Sequence, residues 1–392
     1  MRGMLAGVSG IALMSALAAA LPAEAQTIVA TTPANVVTAI NDANTGAQPY
    51  LTVAPGVTID LSTTTLPTLN TGEALNLGNG QPNGFAGTLS GGTLIMNGNL
   101  QIIQELSPNA VNATISTNLQ GTGALLLTAG KSSEFYTVPT LILSGTNTFS
   151  GGITILTASV DQVEFTSLSA VGSGKIGQDI IGGAGFAINQ AFLGDFSNQF
   201  ASAALAANSA NNLDFTGLPN LGLSAINGTW TYSGVITPAG QGSSAGGTYF
   251  FGGANGSEMN GTLIVTSNLT DGSTPNNVRV DGGYTILEGT NTYTGNTLID
   301  YGTLQFQAAS NLPGGTIRLE GGILALGFAF TQSQLNLAAN ASGAIALAAN
   351  NSNNLDFTTD PQLSLGSRRN GLFYCIGRFT AGTWSSLPTI IL

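Results

Sequence analysis

The sequence predicts an all-β fold of solenoid type. Three observations carry that expectation. Short runs alternate apolar and polar residues with period two, glycine-rich breaks end each run, and a long unit is used about twice. Thr303-Leu-Gln-Phe-Gln307 and Thr316-Ile-Arg-Leu-Glu320 show the alternation, which places Leu304, Phe306, Ile317 and Leu319 on one face. Gly282-Gly283, Gly314-Gly315 and Gly321-Gly322 supply the breaks, where positive φ permits tight turns. The repeat appears first as Leu141-Ile-Leu-Ser-Gly-Thr-Asn-Thr-Phe-Ser-Gly151 and Ile286-Leu-Glu-Gly-Thr-Asn-Thr-Tyr-Thr-Gly295, with Leu143 and Leu287 equivalent. A second match joins Ala206-Ala-Asn-Ser-Ala-Asn-Asn-Leu-Asp-Phe215 to Ala348-Ala-Asn-Asn-Ser-Asn-Asn-Leu-Asp-Phe357. Residues 143 and 287 are 144 apart and residues 206 and 348 are 142 apart, so one unit accounts for both. Many short strands also suit a sandwich or barrel. A unit this long, itself made of similar strand-turn elements, favours stacked coils that bury one another.

Composition narrows the class further. Only 7% of the 392 residues are charged, against about a quarter in ordinary soluble domains, while 43% are apolar and 54 are glycine. Asn, Thr, Ser and Gln must therefore make the polar surface. The net charge of −11, from 8 basic and 19 acidic residues, is spread thinly and excludes nucleic acid as a partner, since phosphate binding needs clustered cations. With no histidine in the chain, Ser-His-Asp and Cys-His catalysis and histidine metal sites are excluded. Cys375 is the single cysteine, so no internal disulfide forms.

Along the chain, residues 1–25 read as a secretory signal peptide. Arg2 begins it, an apolar stretch runs from Met4 to Leu21, and Ala23-Glu24-Ala25 is the cleavage site. No later segment is long and apolar enough to span a membrane as a helix. Residues 26–62 read as an N-terminal cap region. Within it Pro33–Asn44 is expected to form a short capping helix with Val36, Val37, Ile40 and Ala43 on its apolar stripe. A strand pattern follows over 50–61. Residues 63–367 hold the repeats, with 187–215 read as a looser helix or an extended loop. Residues 368–392 are an incomplete further repeat or a truncated tail, because Asn370-Gly371, Gly377 and Thr380 follow Asn227-Gly228, Gly234 and Thr237 by 143 positions.

The stretch from Thr285 through Gly-Thr-Asn-Thr-Tyr-Thr-Gly295 to Gly302-Thr-Leu-Gln-Phe306 resembles the autotransporter passenger-associated β-strand repeat. The copy at 141–160 is similar up to Gly152. This resemblance implies a right-handed parallel β-helix, exported through the inner membrane and placed outside the cell or at its surface. Such passengers usually precede a translocating β-barrel. Only 35 residues follow Phe357, too few for one, so a periplasmic location or a truncated longer autotransporter are the alternatives.

Candidate chemistry is sparse. Asp161 with Glu164, and Asp356 with Asp360, are paired acids that glycoside cleavage could use, but neither pair has the i, i+2 spacing of one strand face. The segment Gly172–Asp179 is a single copy of a calcium-repeat-like pattern, and such sites need tandem copies. Asn-Asn-Leu-Asp-Phe at 211–215 and 353–357 suggests stacked Asn ladders. Trp230, Tyr232, Tyr249, Phe250 and Phe251 suit either sugar stacking or core packing. No catalytic, metal or cofactor residue is assigned. The expected function is a structural or adhesin-like exported protein without catalysis, with host or cell-surface glycans or proteins as the open partner class. A glycan-active or glycan-binding β-helix is the alternative.

Overall fold

The computed structural model describes residues 27–78, 86–104, 111–129, 139–156, 161–197, 199–240, 246–253, 259–336, 344–347, 353, 355–356, 364–369, 372–378 and 383–384. The expected signal peptide lies outside them. The chain is nearly all β and winds into a parallel β-solenoid of about twelve turns.

One face is a six-stranded sheet of Thr27–Val29, Tyr50–Thr52, Ala74–Leu77, Asn99–Gln104, Leu125–Ala129 and Ile153–Ile155, each strand bonded to the strand one coil later. A second face starts at Thr58–Asp60 and runs through Thr88–Ser90, Ala113–Ile115, Thr140–Leu143 and Asp161–Phe165. Period-two alternation explains the stacking. Ile59, Leu89, Ile115, Leu143 and Phe165 sit directly above one another in register, and all are buried in one continuous core. Leu304, Phe306, Ile317 and Leu319 are buried as their spacing implies.

Helix α1 (Pro33–Asn44) packs against Thr27–Val29, Tyr50–Thr52 and Ala74–Leu77, three successive strands of the first sheet. Its buried side joins one core with Ile28, Leu51, Leu75 and Leu77 of those strands. Its N-terminus is tied by Asn35 Oδ1, which accepts from the Thr32 backbone N–H at 3.1 Å and from the Thr32 hydroxyl at 2.8 Å. At the other end Asn44 donates to Thr68 O and accepts from Asn70 N–H, both at 2.8 Å. The buried stripe is Val36, Ala39, Ile40 and Ala43. Val37, expected on it, is only half-buried and Ala39 takes its place.

The stretch 187–215 is neither a long helix nor an extended loop. It holds the five-residue helix α2 (Gln190–Gly194), the strand Ala201–Leu205 and the short strand Leu213–Asp214. Its alanines serve burial on both faces of a sheet. Ile180–Ala184, Ala201–Leu205 and Leu221–Ala225 are buried at every position. A second small core of Ile181, Ala204, Ala206 and Ile226, with Met259 against it, covers their outer side. A Cβ on Gly183 would lie 2.2 Å from Ile226 Cδ1, so a side chain there would push the Ile226 cover aside. Asn227, at φ 57°, fixes the covering turn by donating to Glu164 Oε2 at 2.9 Å and accepting from Asn260 Nδ2 at 2.8 Å.

The internal repeat is visible as structure. Helix α3 (Gln332–Leu335) lies 142 residues after α2, and Leu355–Asp356 lies 142 residues after Leu213–Asp214. Between the two motif copies Leu223 pairs with Phe251. Beyond that point the long strand Asn277–Leu287 serves two stacks. Its first half pairs with Thr248–Gly252 and its second half with Thr262–Val265. At the end of the described chain Leu372–Arg378 runs antiparallel to Ser364–Arg369, whereas its counterpart Thr229–Tyr232 pairs parallel with Thr262–Val265.

Candidate functional site

Most of the polar residues singled out in the sequence hold coils together. In the first motif copy the Asn147 side chain accepts from Leu119 N–H at 2.9 Å and donates to Ala170 O at 2.6 Å, bridging the coil before and the coil after. In the second copy Asn291 accepts from Leu269 N–H at 3.2 Å and donates to Asn311 O at 2.7 Å. The preceding glycines permit this contact, since a Cβ on Gly145 or Gly289 would stand 2.4 or 2.2 Å from the carbonyl of the coil beneath. Phe149 and Tyr293 close the motif as fully buried side chains. The expected Asn ladders thus take another form: amides bond to the backbone of the preceding coil. Asn211 donates to Ala187 O and Ile188 O, and Asn353 donates to Phe330 O.

The other sequence candidates do not converge. Positions 161 and 164 fall on opposite faces of one strand, and Glu164 is spent on Asn227. Asp360 lies outside the described residues, as do the side chains of Asp161, Asp356 and Cys375. Gly172–Asp179 forms a coil turn in which the Ser173 hydroxyl donates to Thr148 O and the Lys175 ammonium to Gly194 O. Tyr232, Tyr249, Phe250 and Phe251 are buried and Trp230 packs against the core, its indole N–H on Ile226 O at 2.7 Å. Core packing accounts for all of them except Phe250, whose ring is covered by Arg279 instead.

A different group of residues comes together on the outside, at a corner shared by two consecutive coils. Val278 and Val280 point inward, so Arg279 between them points out. Its Nη2 donates to Asp281 Oδ2 at 3.0 Å and its Nε to Asp300 Oδ2 at 3.1 Å. The guanidinium carbon stands 5.2 Å from the centre of the Phe250 ring in the preceding coil. The backbone makes this grouping possible. Register slips between Val280 and Asp281 and again before Tyr284, where Gly282, Gly283 and Gly302 take φ values of 102°, 66° and 73°. Ile299 and Leu304 are both fully buried although an odd number of steps separates them. Alternation is therefore broken once between them, and Asp300 and Tyr301 both face outward. Tyr301 is 57% exposed.

This corner is a preorganised polar patch with an aromatic edge. Arg279, 35% exposed, is held flat by two carboxylates and a ring beneath, while Asp281 and Asp300 are mostly covered. Guanidinium nitrogens are donors only, so each carboxylate oxygen facing Arg279 is an acceptor. Both acids are committed to the same guanidinium, Asp281 through Nη2 and Asp300 through Nε. Val280-Asp-Gly282 and Ile299-Asp-Tyr-Gly302 are the sequence signal that points here, two Asp-containing glycine turns 19 residues apart in a charge-poor chain. Two turns one coil apart gain meaning only when stacked, so the sequence alone does not join them.

Elsewhere carboxylates lock turns. Asp214 accepts from Thr216 N–H at 2.8 Å, and Thr216 holds its carboxyl below the usual range. Asp271 accepts from Asn276 N–H at 2.8 Å and from the Thr294 hydroxyl at 2.7 Å. Beneath Tyr249 and Phe251 a cavity of about 10 Å³ has room for one water at most. Among the described residues no group of three or more His, Cys, Asp or Glu is placed to hold a metal, and no helix is long and apolar enough to cross a membrane. Comparison with protein-family models, with curated proteins and with solved structures found no match.

Proposed function

We propose that this chain is an exported, non-catalytic β-helical protein with an adhesive or presentational role at the cell surface, built like the passenger of an autotransporter. The observation that carries this reading is the use made of the repeated motif. In both copies its glycine, asparagine and aromatic residues are committed to stacking coil on coil: Gly145, Asn147 and Phe149 in one, Gly289, Asn291 and Tyr293 in the other. A chain selected for such a motif gains length and a continuous outer surface. The leader-like residues 1–25 support export, and the scarcity of charge suits a surface made of Thr, Asn and Ser.

The glycan-active alternative is disfavoured by the corner at Arg279, where the two carboxylates share one cation. The reading is tested by expressing the full chain in its producing cell and in a deletion strain. Expected are loss of the leader, protein accessible to added protease on intact cells, and weaker attachment of the deletion strain to glycan-coated surfaces. Accumulation in the cytosol, or release of reducing ends from a polysaccharide by the purified protein with loss of that activity in Asp281→Asn, would overturn it.

A further inference from the structure

We propose that the corner formed by Arg279, Asp281, Asp300 and Tyr301 is a recognition subsite for a neutral sugar ring. It rests on the adhesive reading above and names the partner class for that surface.

Three features of the corner argue for it. Asp300 has one oxygen on Arg279, and its other oxygen takes no hydrogen bond from the described residues. Arg279 keeps its Nη1 donors unused after bonding to Asp281 and Asp300. A vicinal diol offers a hydroxyl that donates beside one that accepts, which matches an Asp oxygen beside guanidinium N–H groups. Tyr301 follows Asp300 on the same outward side and is 57% exposed, which leaves an aromatic face open for the apolar face of a sugar ring to stack on.

Charge selects within the sugars. Among the described residues one guanidinium faces two carboxylates, a net charge of −1 that disfavours a uronate, sialate or phosphate. Preorganisation is already supplied. Phe250 beneath the guanidinium and the two carboxylates hold Arg279 in place, so binding does not have to order that side chain. The register break matters most, because it turns Asp300 and Tyr301 to the same side; an unbroken strand would send one of them inward.

The test is saturation-transfer NMR on the full chain with maltohexaose, mannohexaose and chitohexaose, and with hexagalacturonate as the anionic probe. Transfer to at least one neutral hexasaccharide is expected, with none to hexagalacturonate. Tyr301→Ala should weaken that binding about tenfold through lost ring contact, and Asp300→Asn should weaken it while circular dichroism stays unchanged. Absence of transfer to all three neutral probes overturns the subsite, as does preference for hexagalacturonate or binding that both variants leave intact. Attachment of producing cells is measured alongside. Attachment without oligosaccharide binding overturns the subsite and leaves the adhesive role standing; binding without any attachment supports the subsite and overturns the role.

Discussion

Replacing Asn147 by alanine removes one amide that serves two coils at once. Its Oδ1 satisfies the Leu119 N–H and its Nδ2 satisfies the Ala170 carbonyl, and both bonds are buried. Asn147 is itself 6% exposed, so water has little access to the groups left behind. A buried donor or acceptor without a partner costs about 1–3 kcal/mol, which gives about 2–6 kcal/mol for the pair. The neighbouring Asn118 provides the control. Its Oδ1 accepts from Thr146 N–H at an exposed site, where water replaces it, and Asn118→Ala should cost about 1 kcal/mol or less. Coils in a solenoid exchange locally, so native-state hydrogen exchange is the assay. A loss of 2 kcal/mol speeds exchange at Leu119 and its coil neighbours about 30-fold. Asn291→Ala should do the same at Leu269, since the second motif copy makes the same two bonds. If Asn147→Ala and Asn118→Ala both stay within about 0.5 kcal/mol of the wild type, the bridging asparagine is not what joins the coils.

Other substitutions test the packing and the electrostatics. A Cβ at position 123 would lie 1.8 Å from Gly98 O in the adjacent coil, so Gly123→Ala should reach or exceed the roughly 3 kcal/mol at the top of the usual overpacking range; Gly46→Ala, with φ 84° and open space, should cost only about 1–2 kcal/mol in urea unfolding. Phe192 is fully buried and meets Phe165, Phe186 and Phe196 edge-on at 5.8, 5.5 and 5.3 Å, so Phe192→Ala should cost about 3–5 kcal/mol by the same measurement. Burial raises the Asp195 carboxyl above its ordinary 3.8, with Lys175 pulling the other way. A carboxyl raised in the folded state costs stability as pH climbs from 3.8 through the folded value. Asp195→Asn should therefore be more stable than the wild type at pH 7 and indistinguishable from it at pH 3, read by thermal melts; a difference that grows on acidification would contradict the burial argument.

Much of the architecture can be read from local pattern. Leu304 and Phe306 announce an inward face by alternation, and the Gly-Thr-Asn-Thr-aromatic motif announces itself by recurrence. Helix α1 is legible in Val36 and Ile40, though not in the exchange of Val37 for Ala39, which depends on how the helix meets three strands. What fails to show in the sequence is whatever depends on neighbours a coil away. The alanines of 201–205 look helical in isolation, and only the cover by Ile226 and Met259 makes small residues necessary in a strand buried on both sides. The Phe250 and Phe251 pair looks equally fit for a ligand or a core until register puts Leu223 beside Phe251. Arg279, Asp281, Asp300 and Tyr301 are scattered along 23 positions, and a slip in register is what gathers them.

Stacked partners in this solenoid are separated by as few as 19 residues, from Asp161 to Ile180, and as many as 33, from Thr229 to Thr262. The ladder holds across that range because only the strand positions must coincide, and the excess chain leaves at the corners. Corners are therefore places where sequence can be gained or lost without disturbing the rungs on either side. A lineage can change what it displays to the outside while the staircase beneath keeps its step.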